Sequence, residues 1–255
     1  MKAEECKNSY GVPLKVTARD IAKMIDHSLL RPQLTTQEVI DGCKLAKEYD
    51  VASVCVRPCD VALAKTELEG SDVLVTTVIG FPHGSSKTEI KVMEAEEAIK
   101  DGAVELDMVL NIGRLLSRDF DYVEKDIKAV VDVAHAKGVL VKVILENCYL
   151  TDELKEIACK ICEKVGADFV KTSTGFGTGG ATIEDLKLMR RTCSSKVKVK
   201  AAGGVRTLDS ALAVRSVGTE RFGATATKAI MDEAYKREKE GTLKLVEDGE
   251  LKGGY

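Results

Sequence analysis

The chain has 255 residues, 44% of them hydrophobic and 31% charged, the composition of an ordinary globular protein with enough apolar residues for one sizeable core. Its net charge of −3 comes from interleaved acids and bases, so no basic footprint for nucleic acid or an anionic membrane stands out, and no apolar stretch approaches a membrane span. The opening Met1-Lys2-Ala3-Glu4-Glu5-Cys6 lacks the apolar core of a secretion signal, so the eight cysteines read as reduced thiols and the expectation is a cytoplasmic protein.

In chain order, residues 1–20 read as an N-terminal extension, with a helix from Thr17 onward. Short β-type runs then fall at 24–28, 52–56, 73–79, 103–109, 140–145, 167–171, 197–201 and 221–225. Amphipathic helical patterns separate them at 37–49, 87–100, 122–136, 152–165, 183–192, 208–216 and 226–240, with a shorter helical stretch after Pro58. Capping boxes are expected where Thr35 precedes Glu38, Ser86 precedes Glu89 and Thr182 precedes Asp185. Residues 241–255 read as a flexible polar tail.

The strands are apolar on both faces, as a buried parallel sheet requires, and no linker breaks the chain. Eight β/α units in this length predict a single-domain α/β protein, a (β/α)8 TIM barrel over 1–255. A doubly wound open sheet would want a glycine-rich dinucleotide motif after the first strand, and none follows 24–28.

In such a barrel the active site forms at the carboxyl ends of the strands. The polar residues predicted there are Asp26, Cys55, Asp107, Asn111, Lys142, Lys171, Lys200 and Arg206. Two of them carry the argument. Lys171 closes the run Ala167-Asp168-Phe169-Val170, and Lys200 closes Val197-Lys198-Val199, on strands that neighbour each other in a barrel. A lysine amine ordinarily titrates near roughly pH 10.4 and is then no nucleophile. A second ammonium and burial both favour the neutral form, and a neutral amine attacks carbonyls to form a Schiff base. The competing reading is a plain buried ion pair with a carboxylate such as Asp107. Asp107 shares its strand face with Glu105, lies nearer the carboxyl end, and is the candidate for proton transfer. Glu105 would sit lower and need a partner.

Glycines after the last strands suggest an anion site. Gly203-Gly204-Val205-Arg206 and Gly223-Ala224-Thr225 occupy the usual phosphate position of this fold, with Arg206 able to add a charged contact. Asp26 could orient Lys200 or a substrate hydroxyl, or cap a turn. Two motifs are set aside. Gly175-Phe176-Gly177-Thr178-Gly179-Gly180 matches G-x-G-x-x-G, but the next strand ends in Lys200 rather than an acid, so it reads as a flexible loop near a substrate phosphate. Cys159-Lys160-Ile161-Cys162 lies inside a helix and reads as packing.

The segments Ile25-Asp26-His27-Ser28-Leu29-Leu30-Arg31-Pro32, Glu105-Leu106-Asp107-Met108-Val109, Val170-Lys171-Thr172-Ser173-Thr174-Gly175-Phe176 and Lys200-Ala201-Ala202-Gly203-Gly204-Val205-Arg206-Thr207 closely resemble the deoxyribose-phosphate aldolase family, in the same order along nearly the whole chain. The resemblance implies a class I aldolase without metal or organic cofactor, with Lys171 as Schiff-base lysine, Lys200 as its activating partner and Asp107 as proton-transfer group. It implies cleavage of 2-deoxy-D-ribose 5-phosphate to acetaldehyde and D-glyceraldehyde 3-phosphate in deoxyribonucleotide catabolism, by a homodimer or higher homo-oligomer. Asp26, Thr172, Gly175, Gly203, Gly204, Arg206, Gly223 and Thr225 would bind the substrate and its phosphate, and Tyr255 could relay a proton from the tail. Phe176 replaces a lysine that some members carry, and Ala224-Thr225-Ala226 replaces a serine-containing loop. A keto-sugar phosphate aldolase and a catalytically silent sugar-phosphate-binding barrel stay open as alternatives. A metal-dependent aldolase would want a histidine cluster, and the three histidines are scattered.

Overall fold

A computed structural model describes residues 6–245 and 251. The chain enters through a short antiparallel contact between Lys7 and Pro13. Helix α1 (Ala18–Ala22) follows, started as expected at Thr17 by a full capping box with Asp20. Strands β1 (Ile25–Leu29), β2 (Ser53–Val56), β3 (Leu74–Ile79), β4 (Glu105–Val109), β5 (Leu140–Ile144), β6 (Phe169–Lys171), β7 (Lys198–Ala202) and β8 (Arg221–Ala224) pair in sequence order, all parallel, and β8 closes on β1. Around them run α2 (Thr36–Glu48), α3 (Val61–Glu67), α4 (Thr88–Lys100), α5 (Ile112–Leu116), α6 (Phe120–His135), α7 (Asp152–Val165), α8 (Ile183–Thr192), α9 (Leu208–Ser216) and α10 (Thr227–Lys239). This is the expected (β/α)8 barrel. Among the described residues no helix is long and apolar enough to cross a membrane.

The helices lie where the 3.6-residue periods predicted, because each apolar stripe has the sheet to cover. In α6 that stripe is Val123, Ile127, Val130, Val131 and Ala134, all buried. In α7 it includes Cys159 and Cys162, both buried and free, so the C-x-x-C spacing is packing. The box at Thr35 and Glu38 forms, whereas at Thr182 only half of the predicted box does: its side chain caps the Asp185 amide, and the Asp185 carboxylate accepts from Lys155 instead. The predicted box at Ser86 and Glu89 does not form: α4 starts at Thr88 with no side-chain cap. Its start is held by tertiary bonds instead, from Thr88 Oγ1 and Lys91 Nζ to Asp126 on α6. The five-residue α5 was not anticipated, and it moves Asn111 away from the predicted rim role, since its side chain caps this helix by accepting from the Arg114 amide at 3.1 Å.

One residue on the outer wall makes the fold sensitive to acid. His27 is 4% exposed and its Nδ1 lies 2.8 Å from Thr227 Oγ1, joining β1 to the start of α10. Burial lowers its pKa from 6.5 to about 4. The unfolded chain therefore binds a proton below pH 6.5 that the folded chain refuses until about 4. Stability should be intact above that window and fall by a few kcal/mol as the pH drops through it. Urea unfolding at pH 7 and pH 4.5 checks this, and His27→Gln should flatten the difference; an unchanged slope would refute it.

Candidate active site

In each strand every second side chain points into the barrel, so register decides what meets there. Asp107 pairs with Lys142 across β4 and β5, and Lys171 with Lys200 across β6 and β7. Lys200 pairs in turn with Arg221, and Asp26 sits in the adjoining β1. The interior layer is therefore charged, where branched aliphatic side chains are usual for this fold.

Asp107 is its hub. One carboxylate oxygen accepts from Lys171 Nζ at 2.7 Å and from Lys200 Nζ at 2.6 Å, and the other from Lys142 Nζ at 2.9 Å. Lys142 also binds Glu105, and Lys200 also binds Asp26. Arg221 closes the lower side, with Nε 2.8 Å from Asp26 and Nη1 3.1 Å from Glu105. Ser53 and Thr76 donate to Asp26 and Glu105 at 2.7 and 2.9 Å. The four cations Lys142, Lys171, Lys200 and Arg221 thus face three carboxylates, and the cluster carries one surplus positive charge.

The electrostatics correct one expectation. Two bare ammonium groups side by side would each be pressed towards neutrality, but Asp107 stands between them. Burial pushes Lys171 down, yet the Asp107 carboxylate more than offsets it, and the amine rests above its ordinary pKa. Burial likewise works against ionised Asp107, but Lys142, Lys171 and Lys200 hold it well below the usual carboxylate range. Cys55 is 1% exposed, and burial pushes its thiol up to about 11, so it is a small neutral wall beside the lysines.

Above the cluster opens a cleft of about 450 Å³. Asp26, Lys171 and Lys200 form its floor, and the loops after β1, β6, β7 and β8 form its walls. Gly175, Gly203, Gly204, Arg206, Gly223 and Thr225 all line it. Gly203 and Gly204 have φ of 77° and 92°, where any side chain is strained. Gly180 is needed for a different reason, since a Cβ there would lie 2.8 Å from the Gly203 carbonyl carbon. Within the same G-x-G-x-x-G stretch Gly175 has a φ of 94°, and a Cβ at Gly177 would crowd Cys148 and Glu146. Beside Thr225, α10 begins at Thr227 without a side-chain cap.

Two predicted residues are placed differently. Thr172 does not line the cleft: it is fully buried, and its hydroxyl bonds the Ala202 backbone amide and carbonyl at 3.0 and 3.2 Å. Asp26 is the second residue of β1 rather than at its carboxyl end, because the strand runs on to Leu29. Tyr255 lies outside the described residues. Arg31 and Gln33 in the loop after β1 line the cleft and were not singled out, nor was Arg221 beneath it.

Residues 21–233 match the DeoC/LacD family of aldolases. The chain belongs to this family. Among its relatives, the deoxyribose-phosphate aldolase of Thermococcus gammatolerans is 52% identical over 86% of this chain and 98% of its own length. The solved structure of an aldolase called QR15 superposes with a TM-score of 0.82 at 38% identity, covering 86% of this chain and 98% of that one. The deoxyribose phosphate aldolase of Aeropyrum pernix, described as a tetramer, superposes with a TM-score of 0.80 at 29% identity, over 86% and 92% of the two chains. An aldolase needs a group that activates a carbonyl and an open face through which the substrate enters. In this member Lys171 and Lys200 are the amines that line the open cleft.

Proposed function

We propose that the chain cleaves 2-deoxy-D-ribose 5-phosphate to acetaldehyde and D-glyceraldehyde 3-phosphate through a Schiff base on Lys171. The observation that carries this is the number of carboxylates each lysine meets. Lys142 contacts Glu105 and Asp107, with Asp26 at 3.7 Å; Lys200 contacts Asp26 and Asp107; Lys171 contacts Asp107 alone. Lys171 is the least compensated cation in a cluster with one positive charge to spare, and it faces the cleft. Losing its proton leaves the cluster neutral.

The raised pKa of Lys171 does not oppose this chemistry. Ammonium plus aldehyde gives iminium plus water, so the charge beside Asp107 is the same before and after. Only the transient neutral amine is costly, and the surplus charge lowers that cost. In the cleavage direction the C3 hydroxyl loses its proton, the C2–C3 bond breaks, and its electrons pass to the iminium to form an enamine. Asp107, bonded to both Lys171 and Lys200, moves the protons together with Lys200. Protonation of the enamine and hydrolysis then release acetaldehyde and restore the amine. The glycine walls, Arg206, Thr225 and the open start of α10 hold the phosphate. Asp26 fixes Lys200 from below.

The same reading places the enzyme in deoxyribonucleotide catabolism, in a reducing compartment such as the cytoplasm, where its eight free cysteines are at home. It also assembles the chain as a homo-oligomer, as in the Aeropyrum pernix relative. The deciding experiment is borohydride reduction in the presence of acetaldehyde, followed by peptide mapping. One reduced two-carbon adduct on Lys171 is expected. A folded protein that traps dihydroxyacetone or pyruvate instead belongs to the keto-sugar chemistry, and one that traps nothing is not a Schiff-base enzyme.

A further inference from the structure

Glu146 takes no part in the charge cluster, yet its backbone is unusual. It follows β5 with φ of 56° and ψ of 63°, in the left-handed region. Among the described residues only Asp50, Arg118 and Glu146 hold a positive φ without being glycine, and of these three Glu146 alone is buried, at 2% exposure. Glycine would adopt that conformation without strain, so what a glutamate adds at this position is its side chain.

That side chain reaches across to the loop after β6. Leu145 and Asn147 donate backbone N–H groups to the carbonyls of Lys171 and Thr172, both at 2.9 Å, which carries the β5–β6 pairing past the strand ends. Glu146 extends it by two residues. One carboxylate oxygen accepts from the Thr174 amide at 3.1 Å, and the other accepts from the Thr174 hydroxyl. With its proton spent on Glu146, the hydroxyl oxygen accepts from the Phe176 amide at 3.0 Å. Gly175 lies between, exposed and with φ of 94°, and its own N–H makes no hydrogen bond among the described residues. Thr174, Gly175 and Phe176 line the catalytic cleft, whereas Glu146 does not. Of the three amides in this turn, Gly175 alone is left to a ligand.

We propose that Glu146 is the positioning residue of the substrate-phosphate site, fixing the turn 174–176 so that the Gly175 N–H donates to a phosphate oxygen. The inference rests on the aldolase reading for the sugar that carries the phosphate. A carboxylate suits the task because it takes two donors at once and offers none. It locks Thr174 from beneath and keeps its own negative charge out of the cleft lining.

The test titrates the full-length protein with inorganic phosphate by calorimetry and assays it with 2-deoxy-D-ribose 5-phosphate and with 2-deoxy-D-ribose. Glu146→Ala should bind phosphate about tenfold more weakly, the size of one hydrogen bond to a charged group. KM for the phosphorylated sugar should rise by a similar factor with kcat held, while kcat/KM for 2-deoxy-D-ribose stays as in the parent. Thr174→Val, which removes the hydroxyl in the middle of the chain, should weaken phosphate binding in the same direction. The double variant should lose no more than Glu146→Ala alone, since both changes cut one link. Where Glu146→Ala fails to fold, Thr174→Val still decides. The proposal is overturned if both variants bind phosphate like the parent, if 2-deoxy-D-ribose loses as much as the phosphorylated sugar, or if the two losses add. A parent that turns over neither sugar removes the aldolase reading, and the phosphate titration still decides the role of Glu146.

Discussion

Lys171→Ala should lower turnover of 2-deoxy-D-ribose 5-phosphate by about four orders of magnitude or more while the folded protein stays at least as stable as its parent. The two halves of this expectation come from the same charge count. The variant has no amine to form the iminium, so no residual covalent route exists. Yet removing one cation from four leaves three facing Asp26, Glu105 and Asp107, and the Asp107 oxygen that Lys171 leaves keeps its bond to Lys200 at 2.6 Å. Lys142→Met should behave in the opposite way. Lys142 is fully buried between Glu105 and Asp107. Its loss strips a cation from two buried acids and should cost about 3–5 kcal/mol, the usual penalty for breaking a buried ion pair from one side. Steady-state assays with thermal melts on both variants check this. A Lys171→Ala protein that melts far below its parent, or keeps a tenth of its activity, would sink the assignment.

The second large effect is expected far from the cleft. Lys91 on α4 is fully buried, with Nζ 2.6 Å from Asp126 on α6 and 2.9 Å from the carbonyl of Val109 at the end of β4. Gly80 lies directly over its stem, where a Cβ would come within 2.8 Å of Lys91 Cε. This one side chain ties two helices to the strand that presents Asp107. Lys91→Met leaves the Asp126 carboxylate buried and short of its counterion, at a cost of about 3–5 kcal/mol. For a chain of this size that is a drop in melting temperature of about 10 °C. The double variant Lys91→Met/Asp126→Leu should recover most of the loss, because an apolar pair of similar volume has no desolvation cost to repay. A double variant no better than the single would show that the lysine acts through shape instead of charge.

The barrel was legible because its signal is periodic. Eight runs apolar on both faces, each followed by an amphipathic stretch, leave few other ways to bury the surface. Asp107, Lys171 and Lys200 were legible for a related reason, since a charged residue that ends an apolar run needs an explanation. What escaped depended on contacts between distant positions. Arg221 opens its strand and looks solvent-facing until β8 closes on β1 and carries it to Glu105, 116 residues away. Lys91 sits in a helix rich in Lys and Glu, where one more lysine reads as surface. Thr172 shares the Lys171 motif, but side chains alternate along a strand and its neighbour's inward direction turns it away from the cleft. Lys142 was seen at a strand end, but its two acids become visible only in register.

The order of these charges along the chain has a consequence for how the protein comes into being. Asp26, Glu105 and Asp107, with Lys142 alone among the bases, all belong to β1 through β5, whereas Lys171, Lys200 and Arg221 belong to the final three strands. During synthesis the first five strands emerge as an acidic surface that cannot be buried by itself. The last three arrive as its basic complement. Barrel closure therefore also brings opposite charges together, drawn by attraction between an early and a late portion of one polypeptide. In a nascent chain halted after β5 this interior cluster holds three acids against one base and has every reason to stay open until translation resumes.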